Sequence, residues 1–368
     1  MRSLRFSAHA LLLIALTASL ASCAPVPVQS APPEPVAAEP ANATPLACGD
    51  LVSPEAAAVA LTGAEGVAPD LVEAVQPSHA VELAMLTGAG GLACSWRAGE
   101  GQLVVGAEQG DWSYLAVEVL PNAAADWLPP YAGDSPSDER RTVGQVEATT
   151  TASEAGWRIS APVGSAWVEV SITSSGVISG DGRFEGALDS SILDGMMPAA
   201  EQTFAAVEVG TSEQMSWPTL PFREGEARCD GGLDRVGIEN ALQLNGAPVE
   251  YTLIDARAET IYGLADAVEA RIGVFTCELF AEGFGYTEIT VVRDFESIIE
   301  ELETMPDMSS ALEPTVLEGS VGDEIALQAR REDGPRSPLF FTLGQTLYGV
   351  SSADGPAAVA EAIIAQTR

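Results

Sequence analysis

Four cysteines past Cys23, one histidine beyond the first 22 residues and a large excess of carboxylates are the side chains through which this chain could do chemistry. All 17 basic residues are arginine, against 53 acidic ones. The absence of lysine removes a phosphate-loop lysine, a Schiff-base or pyridoxal lysine and a Ser-Lys dyad together. A Ser-His-Asp or Cys-His arrangement would have to use His79, which sits in Gln76-Pro77-Ser78-His79-Ala80 without a flanking catalytic signature. With at most one such histidine and no Cys-x-x-Cys spacing, neither a zinc site nor any other metal or cofactor is expected. Carboxylates remain. A glycosidase-type hydrolase needs two of them about 5 to 10 Å apart, and 53 acids make such a pair easy to imagine and impossible to place. Its mark would be two buried carboxylates facing each other across a cleft, one with a raised pKa.

The cysteine spacing organises the chain. Cys48 and Cys94 enclose 45 residues and Cys229 and Cys277 enclose 47, so the two pairs are offset by 181 and 183 positions. Val143-Gly144 and Val321-Gly322 follow nearly the same offset, and a tandem duplication accounts for both. Four cysteines allow three pairings. The repeat selects Cys48 with Cys94 and Cys229 with Cys277, because each half then closes its own crosslink in an oxidising compartment. On a chain-entropy argument each bridge contributes roughly 4 kcal/mol.

The elements that must carry these residues read alike in both halves. Ser53 is an N-cap with Pro54 behind it, opening a helix over Ala56–Leu61. Its counterpart is Asp234–Leu244, and a second helix is expected over Ala256–Ala270. Strands are expected at Leu92–Arg97, Leu103–Ala107, Trp112–Leu120, Gly144–Thr150, Gly156–Ser160 and Ala166–Thr173. In the second half they fall at Gly273–Phe280, Tyr286–Arg293, Glu324–Arg330, Leu339–Leu343 and Thr346–Val350. Leu115, Val117 and Val119 show the alternation of a strand with one buried face. Helices are also expected at Ala123–Leu128, Phe295–Leu302, Phe184–Val207 and Pro356–Gln366. Strands grouped between helices give an α+β class: two tandem domains, each an antiparallel sheet flanked by helices. Trp157, Trp167 and Tyr348 are assigned to sheet packing. Ser179-Gly180-Asp181-Gly182 reads as a plain turn, without the ligand spacing of a calcium loop.

The amino-terminal end is different in kind. Arg2 and Arg5 precede the apolar run Ala10–Leu16, too short to span a bilayer, and the run leads to Leu20-Ala21-Ser22-Cys23. That tetrapeptide resembles the lipobox of bacterial lipoproteins, which implies lipidation of Cys23 and an extracytoplasmic, lipid-anchored location at the cell membrane. The expected organisation is a signal peptide over 1–22, a Pro/Ala-rich tether over 23–46, a first domain over 47–207, a linker over 208–224 and a second domain over 225–368. Prolines such as Pro32, Pro33 and Pro35 make the tether semi-rigid. Without the first 22 residues the balance is 15 basic residues against 53 acidic, or −38, which makes nucleic acid and anionic lipid surfaces poor partners, and no nucleic acid is expected.

Together the lipobox, the tether, Cys48-Gly49-Asp50-Leu51 before a helix and Cys94-Ser95-Trp96 resemble a family of actinobacterial lipoproteins of unknown function, with a Cys-x-Leu-Leu start and a later Cys-x-Trp. Similar exported domains look like the PsbP-like α/β sandwich. The resemblance implies no catalytic residues. The second half departs from it, with Cys277-Glu278-Leu279 and Cys229-Asp230-Gly231-Gly232 in the matching places. The expectation is a non-catalytic binding or scaffold protein of the cell envelope, not an enzyme, engaging the membrane through Cys23 and an envelope protein, a wall polymer or a small ligand. The alternative is a ligand-binding sensor or solute-binding lipoprotein, which a deep pocket between the domains would favour. A carboxylate hydrolase stands third.

Overall fold

A computed structural model describes residues 44–368 apart from 65, 101–109, 130–138, 154–155, 176–181, 221–228, 230–232, 234, 245, 260, 283–284, 305–306, 323, 331–337, 353–354 and 368. Cys23, the signal-like run and most of the tether lie outside the described residues. So do the strand expected at Leu103–Ala107 and the turn at Ser179–Asp181.

The first half runs α1 (Cys48–Leu51), α2 (Pro54–Ala60), β1 (Leu71–Glu73), α3 (Ala80–Gly88), β2 (Leu92–Gly99), β3 (Trp112–Leu120), β4 (Glu139–Val143), β5 (Val146–Ser153), β6 (Gly156–Val163), β7 (Ala166–Ser174) and α4 (Asp189–Val209). The second runs α5 (Arg235–Ala241), β8 (Val249–Asp255), α6 (Leu264–Ile272), β9 (Phe275–Ala281), β10 (Gly285–Arg293), α7 (Ile298–Thr304), α8 (Met308–Ala311), β11 (Leu312–Pro314), β12 (Ala326–Ala329), β13 (Leu339–Leu343), β14 (Thr346–Ser352) and α9 (Pro356–Thr367). Each half forms a seven-stranded sheet. The orders are β1-β2-β3-β7-β6-β5-β4 and β8-β9-β10-β14-β13-β12-β11, antiparallel throughout, so the duplication read from the cysteines is a duplication of topology. The fold is the α+β arrangement expected.

Local chemistry explains the joints. Ser53 caps α2 by accepting from the Ala56 amide at 3.2 Å. The β4–β5, β6–β7 and β13–β14 hairpins turn on Gly144-Gln145, Gly164-Ser165 and Gly344-Gln345, each glycine at φ near 60° (61°, 58° and 59°). A two-residue loop with a left-handed first position matches strand twist and favours glycine there.

Both disulfides form as the repeat implies, Cys48–Cys94 and Cys229–Cys277, with Cα atoms 5.5 and 5.7 Å apart. They sit on the helix-covered face of their sheets. In the first half that face carries Leu115, Val117, Val119, Val168, Val170 and Ile172 under α1, α2 and α4. In the second, Ile289, Val350 and Phe341 lie under α5 and α9.

The opposite faces pack on one another. Leu120 and Trp167 from the first sheet join Val292, Leu347 and Leu327 from the second, with α3 and α6 between them, in one buried cluster. Residues 42–368 form one compact unit. An ion pair also bridges the halves: Arg97 Nε lies 2.7 Å from Asp307 Oδ2, and the Tyr114 hydroxyl donates to the same oxygen at 2.9 Å. Residues 208–224 do not hang free where they are described. Trp217 Nε1 donates to the Leu46 carbonyl at 2.8 Å, and the Leu220 amide donates to the Gly88 carbonyl.

Three expected helices are corrected. Ala123–Leu128 forms turns: Asn122 is left-handed (φ 57°), the stretch is too short to nucleate a helix, and prolines on both sides stop any extension. Ala256–Ala270 is helical only from Leu264, because Asp255 clamps the Arg257 amide and guanidinium in a turn. Phe184–Val207 is likewise helical only from Asp189, and the helix runs on to Val209.

Replacing Cys48 and Cys94 together by alanine is expected to lower the unfolding free energy by about 2 to 5 kcal/mol, read from urea denaturation. Asp307→Ala strands the Arg97 guanidinium, whose side chain is 13 % exposed. An expected loss of about 3 to 5 kcal/mol follows, and an unchanged urea midpoint would sink the bridge.

Candidate functional site

The face of the first sheet that meets the second half is apolar at one end and polar at the other. In β3 and β7 the residues between the core valines point to it, so Glu118 in Val117-Glu118-Val119 and Glu169 in Val168-Glu169-Val170 stand directly opposite each other in the ladder. Facing pairs have Cβ atoms about 5 Å apart, and like charges there repel. Ser160 on β6 continues the row beside Glu169. One row along, Arg158 sits between Ser171 and Thr151.

A cavity of about 360 Å³ opens over this floor. Its walls come from both halves. His79 and Glu82 stand at the start of α3, and Tyr262, Gly263 and Asp266 at the start of α6. α6 begins there because the Asp266 carboxylate takes the Tyr262 and Gly263 amides at 2.8 and 2.9 Å. Glu82 and Asp266 each occupy the third position of their helix, so the duplication places one acid from each half at the same opening.

Trp127 and Trp167 donate their indole N–H groups to Ser160 Oγ at 3.1 and 3.0 Å, which turns the serine hydroxyl toward Glu169. Arg158 Nε holds Glu169 Oε1 at 2.8 Å. The second oxygen, Glu169 Oε2, is buried without a hydrogen-bond partner, as is Thr151 Oγ1 on the same cavity wall; the two residues are 5 % and 8 % exposed. Such orphans are costly inside a protein.

Burial is the main reason that the Glu118 carboxyl is pushed up to about 8, with Glu169 and Glu82 adding to it and Arg158 opposing. Glu169 is also raised, chiefly by burial, but Arg158 and Ser160 both favour its charged form. The pair therefore keeps a proton at neutral pH, and Arg158 and Ser160 make Glu169 the member whose charged form is favoured. Across the junction Glu269 is pushed up to about 7 by burial first and then by Asp266, Glu82 and Glu288.

The disulfide cysteines lie on the other face of their sheets and take no part in this cavity. His79 is part of its wall. Trp157 is among the residues lining the cavity and its indole donates to Asp189 Oδ1 at 2.8 Å, Trp167 is buried in the junction, and Tyr348 stacks on Phe341. Glu118, Glu169, Arg158 and Ser160 were not singled out by sequence reasoning. The available signal is the tripeptide Val-Glu-Val, which occurs in both paired strands. Among the described residues no three His, Cys, Asp or Glu side chains gather as metal ligands would, and no helix is long and apolar enough to cross a membrane.

The chain is thus a duplicated two-sheet α+β protein with an acidic cavity at the junction of its halves. Compared with protein-family models, curated proteins and solved structures, it matches none of them.

Glu118 binds a proton in the folded protein up to about pH 8, whereas an unfolded carboxyl releases it near 4.5. Between those values the folded state holds more protons, so stability falls as pH rises, by at most about 1.4 kcal/mol per unit for this group. Urea midpoints measured from pH 5 to 9 are expected to fall over this range. Glu118→Gln is expected to flatten the segment between pH 7 and 8; an unaltered slope there contradicts the assignment.

Proposed function

We propose that this chain is a lipid-anchored extracytoplasmic binding protein that holds a small solute between its two halves and performs no chemistry on it. The observation that carries the reading is the cavity at the junction, whose lining includes Glu169 and Thr151, each with a buried side-chain oxygen, Oε2 and Oγ1, that has no partner in the protein. Sites of a few hundred Å³ with a few convergent polar groups between domains suit small molecules. The address rests on the sequence: the lipobox at Cys23 and the Pro-rich tether support lipidation and display outside the membrane, and the two disulfides suit an oxidising compartment. The lipoprotein family resemblance belongs with this reading.

Glu118 and Glu169 supply one feature of a carboxylate hydrolase, a close pair, one buried and one partly so, with raised pKa values, and this keeps hydrolysis as a second reading. Their placement favours binding. Both rise from adjacent strands of one floor, whereas hydrolysis of a glycoside needs the two acids to flank the bond being cut.

Native mass spectrometry of the full chain, purified in mild detergent from an exporting host, is expected to retain a small molecule that Ser171→Trp, which fills the cavity, loses. Equal occupancy in the two proteins, or none in either, would overturn the reading. Cys23→Ser is expected to move the chain out of the membrane fraction and abolish labelling by radioactive palmitate. Turnover of aryl glycosides lost in Glu169→Gln would instead establish the hydrolase.

A further inference from the structure

We propose that the junction cavity takes a small organic cation bearing N–H donors, a primary amine or guanidinium, with its charged head between Glu118 and Glu169. This rests on the cavity being a binding site and names what it binds. The ionisable side chains around it are His79, Glu82, Glu118, Arg158, Glu169 and Asp266, four acids to one guanidinium. That guanidinium is already engaged by Glu169 Oε1 at 2.8 Å, so it does not draw an anion. The two orphaned atoms point to the same chemistry. Glu169 Oε2 can only accept while ionised and Thr151 Oγ1 can accept, so each suits an N–H donor.

Size and shape exclude a bare metal ion as the better fit. A cavity of about 360 Å³ is far larger than an ion, and no set of three metal-ligand side chains converges among the described residues. Tyr262, 64 % exposed at the lip, places an aromatic ring where a cation's alkyl stem or charge can lie against it. Because the pair keeps a proton at neutral pH in the empty site, an entering cation replaces that proton, and binding releases it to solvent. The other ionisable groups on the cavity wall are His79 and Glu82 from the start of α3, Asp266 from α6 and Arg158 from β6; Glu82 strengthens the exchange and the arginine opposes it.

The test is calorimetric titration of the full chain in mild detergent at pH 7 with agmatine, putrescine, xylitol and calcium chloride. Each is run in two buffers of different ionisation enthalpy so that released protons are counted. Agmatine or putrescine is expected to bind at least tenfold more tightly than xylitol or calcium, with proton release. Glu118→Gln should abolish that release, and Glu169→Gln should weaken binding at least tenfold. Thr151→Val, which leaves every charge in place, should weaken it severalfold and serves if Glu169→Gln fails to fold. Xylitol binding as well as the amines would leave the pocket standing and overturn the cation. Tighter calcium binding would overturn it in favour of an inorganic ion. Amine binding indifferent to both Glu169→Gln and Thr151→Val would assign the heat to the acidic surface and overturn the site. Failure of all four probes, with an empty protein in native mass spectrometry, would remove the pocket reading as well.

Discussion

Everything in this molecule follows from the need to cover two faces of each sheet. A seven-stranded antiparallel sheet built on alternating residues has two large faces; α1, α2 and α4 cover one in the first half and α5 and α9 one in the second. The other face of each sheet is closed largely by the other half, through Leu120 and Trp167 on one side and Val292 and Leu347 on the other. Helices α3 and α6 are caught in the same layer. α3 is buried around most of its circumference, with Ala80, Leu83, Ala84, Met85 and Leu86 all out of solvent, as befits a helix packed from several sides. The same closure turns Glu118 and Glu169 from acids on a solvated strand face into acids inside the protein.

This explains which parts were legible in the sequence and which were not. Central strands were readable, because their core face alternates cleanly, and the cysteine offsets disclosed the repeat that the sheet orders display. The four strands that escaped, β1, β4, β8 and β11, are the four sheet edges. Edge strands here are short or charged, as in Leu71–Glu73, Leu312–Pro314 and Glu139-Arg140-Arg141, and half their backbone faces outward, so the alternation that marks a strand is weak. α3 escaped for the opposite reason: a run apolar on nearly every side has no stripe to detect. The acidic pair was illegible as a site because Val-Glu-Val reads as valine in and glutamate out. Only the packing of a second domain, a contact between residues far apart in sequence, reverses the meaning of the glutamates.

The duplication also provides an internal comparison. Val117 pairs with Cys94 and Val170, and Ile289 pairs with Cys277 and Val350, so the two ladders align residue by residue. On that alignment Thr290 stands where Glu118 does, Gly349 where Glu169 does, and Phe340 where Ser160 does. A side chain at Gly349 would meet the Phe340 ring at 3.4 Å, so in the second half the phenylalanine occupies the ground over which the first half keeps its polar row. The two halves share a scaffold and not a site.

That comparison bears on why the acids are there. A close carboxylate pair with one member buried and an orphaned oxygen weakens a fold relative to apolar or neutral residues of similar volume, and replacing such groups commonly stabilises a protein. The second half demonstrates that this same topology closes its junction face with Thr290, Gly349 and Phe340 in those positions. The fold therefore does not require Glu118 and Glu169. Nor does the Arg158 contact supply a structural reason, since it satisfies one oxygen of one acid and its own side chain is 41 % exposed. What distinguishes the first half is a polar floor left open and incompletely satisfied, built from groups that favour a positive charge, beneath an opening to which each half contributes one acid. Stability alone would have closed it as the second half did.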